Sequence, residues 1–268
     1  MIVAKDIWKS FGKKKVLQGL NLEVEAGETV VILGRSGVGK SVLLRQIIGM
    51  DKPDSGWIEV EGVRITDLKG AKLYRAIRKM GMLFQGSALF DSLSVGENTA
   101  FYLRQHGDPK THKPLPANEI KARVAEALEM VDLKGTEELA PSSLSGGMRK
   151  RAALARLIVY RPEVLLYDEP TTGLDPITAQ HINRLIAHTQ KALKATSIVV
   201  THDLVSALAV GDRLALHDEG QISVIADPKS FMKNDHPVIR EFIKNASFNH
   251  DLDALMHVPY PAEAGATS

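Results

Sequence analysis

Apolar residues follow two different patterns along this chain. Over roughly the first 65 residues Leu20, Leu22 and Val24 alternate with Asn21, Glu23 and Glu25, and Trp57, Ile58 and Val60 lead into Val63 and Ile65 around Gly62. A period of two predicts strands with one face in a core and one in water, as in an antiparallel layer. Three short runs are almost wholly apolar instead: Thr29–Leu33 (TVVIL), Val164–Tyr167 (VLLY) and Ser197–Val200 (SIVV). Strands covered on both faces read this way. Helical patterns occupy Lys40–Ile48 and Pro176–Leu193. Strand, turn and helix in succession around buried strands predict an α/β core with a mostly parallel sheet.

The stretch from Ser87 to Tyr160 has another character. Lys121–Val131 places Val124, Leu128 and Val131 at helical spacing, and Arg149–Ile158 reads as a second helix. No buried-strand pattern occurs between Phe90 and Glu163, so a helical insertion over about 87–160 is expected. His106–Asn118 gathers Pro109, Pro114, Pro116, Gly107 and Asp108, the chemistry of a surface loop. Residues 246–268 lack Lys and Arg, carry Pro259 and Pro261, and end in AEAGATS. They predict a C-terminal tail after a single domain spanning 1–245.

Composition narrows the function. At 268 residues, 44% hydrophobic and 25% charged, the chain is globular rather than disordered. The formal net charge of +2 gives no general attraction to nucleic acid. No run approaches 18 apolar residues, so no membrane span is expected, and MIVAKDIWKS lacks the features of a secretory leader. With no cysteine there is no disulfide, no thiolate-held zinc and no thiol nucleophile. A cytoplasmic location is expected.

The chemistry enters at Gly34–Ser41, GRSGVGKS, which matches G-x-x-x-x-G-K-[ST] between a buried strand and a helix. Glycines at 34, 37 and 39 let consecutive backbone amides of Gly34, Arg35, Ser36, Gly37, Val38 and Gly39 face inward as a nest for an anion. The helix running on through Val42 turns its positive end to the same place. Lys40 is placed to reach β- and γ-phosphates, and Ser41 to ligate Mg²⁺. A second acid for the metal is offered by Asp168 at the end of VLLY, where open parallel sheets bind ligands. Glu169 beside it is the candidate base for the attacking water. No NKxD guanine-reading motif is present, which argues against a GTPase.

With these motifs in order, the chain resembles the ATP-binding subunits of ABC transporters over nearly its whole length. Ser143–Met148 contains LSGGM, similar to the family's LSGGQ signature, with Met148 in place of the usual Gln. Ser145 can cap a helix whose first amides, at Gly146 and Gly147, bind phosphate. The resemblance implies that Ser145, Gly146 and Gly147 contact ATP held by a second copy of the chain. Phe11 stands where an aromatic stacks on adenine. Gln85 matches the Q-loop, which touches Mg²⁺ and the water. Asp175, in TGLDP, matches the D-loop acting across the dimer, and also precedes Pro176 as a helix cap would. His202 matches the switch histidine that senses the γ-phosphate. LSGGM has no role in a small-molecule kinase, and the second cassette or coiled coil of soluble ABC ATPases is not seen.

Within the family, SALFDSLSVGEN after Gln85 and Met-Arg-Lys-Arg after the signature glycines resemble the ATPases of Mla-type phospholipid transport systems. ATPases of importers of amino acids or other small solutes share the catalytic motifs and are one alternative; a soluble non-transport ABC ATPase is the other. The Mla resemblance implies a chain on the cytoplasmic face of the inner membrane, partnered by an integral membrane permease, an MCE-domain lipid-binding protein and a small STAS-type subunit. Leu83, Phe84, Leu89 and Phe90 are expected near a groove for the permease, with the core of the insertion as the equal alternative for most of them. Apolar residues of the tail, Phe248 to Tyr260, are expected to reach across the dimer.

Overall fold

The computed structural model describes residues 1–247 except Lys110 and His112. In chain order the elements are β1 (Ile2–Phe11), β2 (Lys14–Val24), β3 (Thr29–Leu33), α1 (Lys40–Ile47), β4 (Ser55–Val60), β5 (Val63–Arg64), α2 (Gly70–Ile77), β6 (Met80–Leu83), α3 (Val95–His106), α4 (Ala117–Met130), α5 (Gly146–Ile158), β7 (Val164–Asp168), α6 (Pro176–Leu193), β8 (Thr196–Thr201), α7 (Leu204–Val210), β9 (Arg213–Asp218), β10 (Gln221–Ala226), α8 (Pro228–Lys233) and α9 (Pro237–Ser247).

The strands form two sheets. The alternating segments give a four-stranded antiparallel sheet in the order β2-β1-β4-β5. The core sheet runs β10-β9-β3-β8-β7-β6, parallel except for the hairpin partner β10. Both faces of the core sheet are covered, as the unbroken apolar runs require. Val30 and Ile32 of β3 enter one cluster with β1, β2, β4 and α1. Val31 and Leu33, pointing the other way, enter a second cluster with α3, α4, α5, α6 and α7. The parallel set is wider than the three runs read from sequence, because β6 and β9 extend it on either side.

Between residues 84 and 163 the described elements are helical: α3, α4 and α5 pack on one another, and α5 also packs on β6 and α6. Ser94 and Glu97 close a reciprocal capping box at α3. Two boundaries differ from expectation. The loop expected from His106 starts one residue later, because His106 is the last residue of α3. The tail expected from Ala246 lies outside the described residues from 248 onward, while Ala246 and Ser247 complete α9; the Ser247 hydroxyl bonds back to the Ile243 carbonyl at 2.8 Å. The proposed reach of Phe248 to Tyr260 across a dimer likewise falls outside the described residues.

Register places the chemistry. Leu33 of β3 lies opposite Thr201 of β8, and Val200 of β8 lies opposite Asp168 of β7. Three neighbouring strands therefore deliver Gly34, His202 and Glu169 to one edge of the sheet at one level.

His217, on β9, is 1% exposed, and neither ring nitrogen has a partner among the described residues. Burial first, and the Lys40 charge second, push its pKa down to about 4. The unfolded chain takes up this proton near pH 6.5 and the folded chain does not until about pH 4. The stability that neutral His217 confers is therefore complete above about pH 6.5 and is lost as pH falls toward 4, by up to about 3 kcal/mol at 1.36 kcal/mol per pH unit. Urea midpoints at pH 7 and pH 4.5 should differ more for the wild type than for His217→Gln. An equal difference in both would assign the acid sensitivity elsewhere.

Candidate active site

α1 begins on Gly39 with no side-chain cap, whereas Ser145, Asp175 and Asp203 cap α5, α6 and α7 with their own oxygens. The first amides of α1 are left for an anionic ligand. Gly39 adopts a φ of 113°, and a Cβ on it would lie 2.6 Å from Val16 Cγ1, so only glycine fits this turn. Lys40, 5% exposed, donates to the carbonyls of Gly34 at 2.7 Å and Arg35 at 3.0 Å, and sits 3.3 Å from Glu169 Oε1. A buried ammonium folded onto its own loop, beside unclaimed amides, fits a site for phosphate oxygens.

The acids meet the loop from β7. The Ser41 hydroxyl donates to Asp168 Oδ1 at 2.7 Å. Burial, the largest influence, raises the Asp168 pKa; the Ser41 bond opposes it, and neighbouring Glu169 adds to it. A buried carboxylate sharing a hydroxyl beside a second carboxylate suits a hard cation with oxygen ligands. Glu169 is held in a left-handed conformation, φ 48°, by its amide bond to the Val200 carbonyl at 2.9 Å. Its Oε2 accepts from Thr172 Oγ1 at 3.1 Å and from His202 Nδ1 at 2.8 Å. The His202 ring is thereby anchored to Glu169 through Nδ1.

Phe11, Ser36, Gly37, Gly39, Lys40, Ser41, Val42, Gln85, Glu169 and His202 line one pocket of about 450 Å³. Phe11 is 51% exposed at its mouth rather than packed in a core. Arg35 turns outward and pairs with Glu241 of α9, while Gly34 and Val38 complete the loop beneath. A larger cleft, about 840 Å³, lies away from these residues around Arg78, Arg123 and Tyr160.

Ser145, Gly146, Gly147 and Asp175 do not line the pocket. Ser145 accepts from the Met148 amide at 3.2 Å. Gly147 fits against α6 because a Cβ on it would lie 2.6 Å from Thr178 Cγ2. Asp175 accepts from the amides of Ile177 and Thr178 at 3.1 and 3.0 Å, and hydrogen bonds from Thr178 hold its pKa below the usual carboxylate range. The heads of α5 and α6 are thus capped by their own side chains, outside the set of residues that line the pocket.

The groove expectation needs one correction. Leu83 is 2% exposed inside β6, so it is core. Leu89 is half-buried against the same core and Phe84 is half-buried, which leaves Phe90 alone of the four on the surface. Lys14, Thr172 and Lys150 are contacts of the site that the sequence reading did not assign. Lys14 lines the pocket, Thr172 bonds Glu169, and Lys150 donates to the Gln85 carbonyl.

A nucleotide-sized pocket built on a glycine loop, an uncapped helix, a buried lysine and paired carboxylates defines a P-loop nucleotide hydrolase. Residues 17–172 match the family model described as ABC transporter, and the chain belongs to that family as an ATPase. The "Probable ribonucleotide transport ATP-binding protein mkl" of Mycobacterium leprae is 38% identical over 90% of this chain and 68% of its own length. The "Intermembrane phospholipid transport system ATP-binding protein MlaF" of Haemophilus influenzae is 37% identical over 98% of this chain and 96% of its own. A solved dimeric ATP-binding cassette in a post-hydrolysis state, bound to ADP and Pi, superposes with a TM-score of 0.77 at 31% identity, covering 85% of this chain and 99% of that one.

Proposed function

We propose that this chain is the ATPase subunit of a phospholipid transport system, peripheral to the cytoplasmic face of the inner membrane. The observation that carries the reading is the 37% identity to the Haemophilus influenzae MlaF protein over 96% of that protein's length. The mycobacterial relative, named for ribonucleotides, is matched over 68% of its length and supports the substrate class less directly. The working unit is a pair of cassettes, each comprising 1–245 with the helical subdomain at 87–160. An integral permease, an MCE-domain lipid-binding protein and a STAS-type subunit complete the assembly. Pull-down of the tagged full chain from membranes tests this. The permease, the MCE protein and co-purifying phospholipid are expected; a permease with an amino-acid or ribonucleotide-binding protein instead would overturn it.

In this reading ATP lies in the 450 Å³ pocket with adenine on Phe11. The amides from Gly34 to Gly39, with the start of α1 at Lys40, Ser41 and Val42, receive the phosphates. On binding, Lys40 exchanges the Gly34 and Arg35 carbonyls for phosphate oxygens. Ser41, Asp168 and Gln85 would hold Mg²⁺, which supplies positive charge to the phosphate oxygens. Glu169, fixed by Thr172 and His202, accepts a proton from the attacking water. His202 presents Nε2 toward the γ-phosphate side. Ser145, Gly146, Gly147 and Asp175 serve the nucleotide of the second copy, consistent with their position away from their own pocket. Phe11→Ala raises the KM for ATP about tenfold, the worth of one stacked base at roughly 1–3 kcal/mol, with kcat within about twofold. Unchanged KM in steady-state kinetics would remove Phe11 from the adenine site.

A further inference from the structure

Gln85 is followed by a segment of unusual backbone. Ser87 and Ala88 have φ of 63° and 49°, two successive left-handed residues, neither a glycine. Such conformations persist where surrounding groups hold them, and they cluster where function uses them. The Ser87 amide bonds the Phe84 carbonyl at 3.0 Å and the Ala88 amide bonds the Gly86 carbonyl at 2.7 Å. These local bonds close a tight turn that leaves the carbonyls of Gln85, Ser87 and Ala88 pointing at α5.

Two cations of α5 take those carbonyls. Lys150 Nζ donates to Gln85 O. Arg156 donates from Nη1 to Ala88 O at 2.6 Å and from Nη2 to Ser87 O at 3.4 Å. The other arginines of α5 are engaged elsewhere: Arg149 on the Leu144 carbonyl, Arg151 on those of Val131 and Asp132. Lys150 is only 6% exposed, and burial lowers its pKa against the pull of Asp168 and Glu169. Burial likewise lowers that of Arg156, whose guanidinium lies 5.7 Å over the Phe90 ring. A buried cation is unfavourable unless its partner compensates it. Here each partner is a backbone oxygen of the same strained turn.

We propose that Lys150 and Arg156 are positioning residues. They clamp the 85–88 turn to the helix that begins at Gly146, so that Gln85 keeps its place on the nucleotide pocket and the turn and α5 move as one body. Through this clamp a shift of Ser145, Gly146 and Gly147, at the head of α5, is passed to Gln85 in the chain's own site. The inference rests on the reading of Gln85 as a contact to metal and water.

The test uses the full chain with the subunits that co-purify, and compares Lys150→Met, Arg156→Met and Gln85→Ala. Each clamp variant lowers kcat about tenfold, the scale of a modest misplacement of a catalytic group, while affinity for a fluorescent ATP analogue stays within about twofold. Lys150→Arg and Arg156→Lys keep most of the turnover. The clamp is overturned if Gln85→Ala lowers kcat and the methionine variants do not. It is equally overturned if they lose nucleotide affinity in step with turnover. Full turnover in Gln85→Ala would overturn the Gln85 reading itself, and the clamp with it.

Discussion

Glu169→Gln lowers kcat for ATP by about 10²- to 10³-fold, the range of general-base catalysis, and leaves ATP affinity within a few-fold. The substitution is nearly isosteric and keeps an oxygen to accept from Thr172 Oγ1 and His202 Nδ1, now 3.1 and 2.8 Å from Oε2. Lys40 loses a charge at 3.3 Å but retains the Gly34 and Arg35 carbonyls, so the loop stays formed. What disappears is the capacity to take a proton from water, a loss of about 2.7–4 kcal/mol of transition-state stabilisation. Binding and chemistry are separable because the proposed phosphate contacts are α1 and the preceding amides, whereas Glu169 is the residue just after β7. A variant that binds ATP and does not turn it over should accumulate as the two-copy complex. Gel filtration with ATP should therefore show a dimer that persists in Glu169→Gln and dissipates in the wild type. Normal turnover in the variant would remove Glu169 from the base role.

How much of this was readable in the sequence depended on how local each feature is. β3, β7 and β8 announced themselves because every residue in each is buried. The P-loop follows β3, and Asp168 closes β7 with Glu169 directly after it, so their chemistry was legible with their fold. β6 escaped because it is four residues long with Gly81 among them, too short for periodicity to register. β9 escaped because Arg213 and Asp218 at its ends disguise four buried residues between them. The clamp on Gln85 was illegible for a different reason. Lys150 and Arg156 lie 65 and 68 residues from the carbonyls they hold, and a carbonyl is present at every position, so the receiving end leaves no mark in the sequence. The ion pair of Arg35 with Glu241 was illegible through distance alone: the two side chains lie 206 residues apart, and the bond ties α9 to the glycine-rich loop. Side-chain motifs survive in a sequence; side-chain-to-backbone contacts across the fold do not.

Lys40→Ala weakens ATP binding about 100-fold, the loss of one to two charge-assisted hydrogen bonds at roughly 1.5–3 kcal/mol each. The residue is 5% exposed, and among the described residues its ammonium touches two carbonyls of its own loop and Glu169. These three acceptors match the three ammonium donors, and in the proposed site phosphate oxygens replace the two loop carbonyls. Removing the ammonium does not strand Glu169, because Thr172 and His202 remain bonded to Oε2. Folding is therefore preserved while the anion site loses its fixed charge, and thermal melts of the variant without nucleotide should stay close to wild type. Lys40→Arg does not rescue binding: a planar guanidinium is larger than the ammonium and cannot take its place in a nearly closed site. Titration with a fluorescent ATP analogue separates the outcomes. Affinity unchanged in Lys40→Ala would sink the assignment of Gly34–Ser41 as the phosphate site, and affinity restored in Lys40→Arg would show that charge alone, not the fit of the ammonium, governs it.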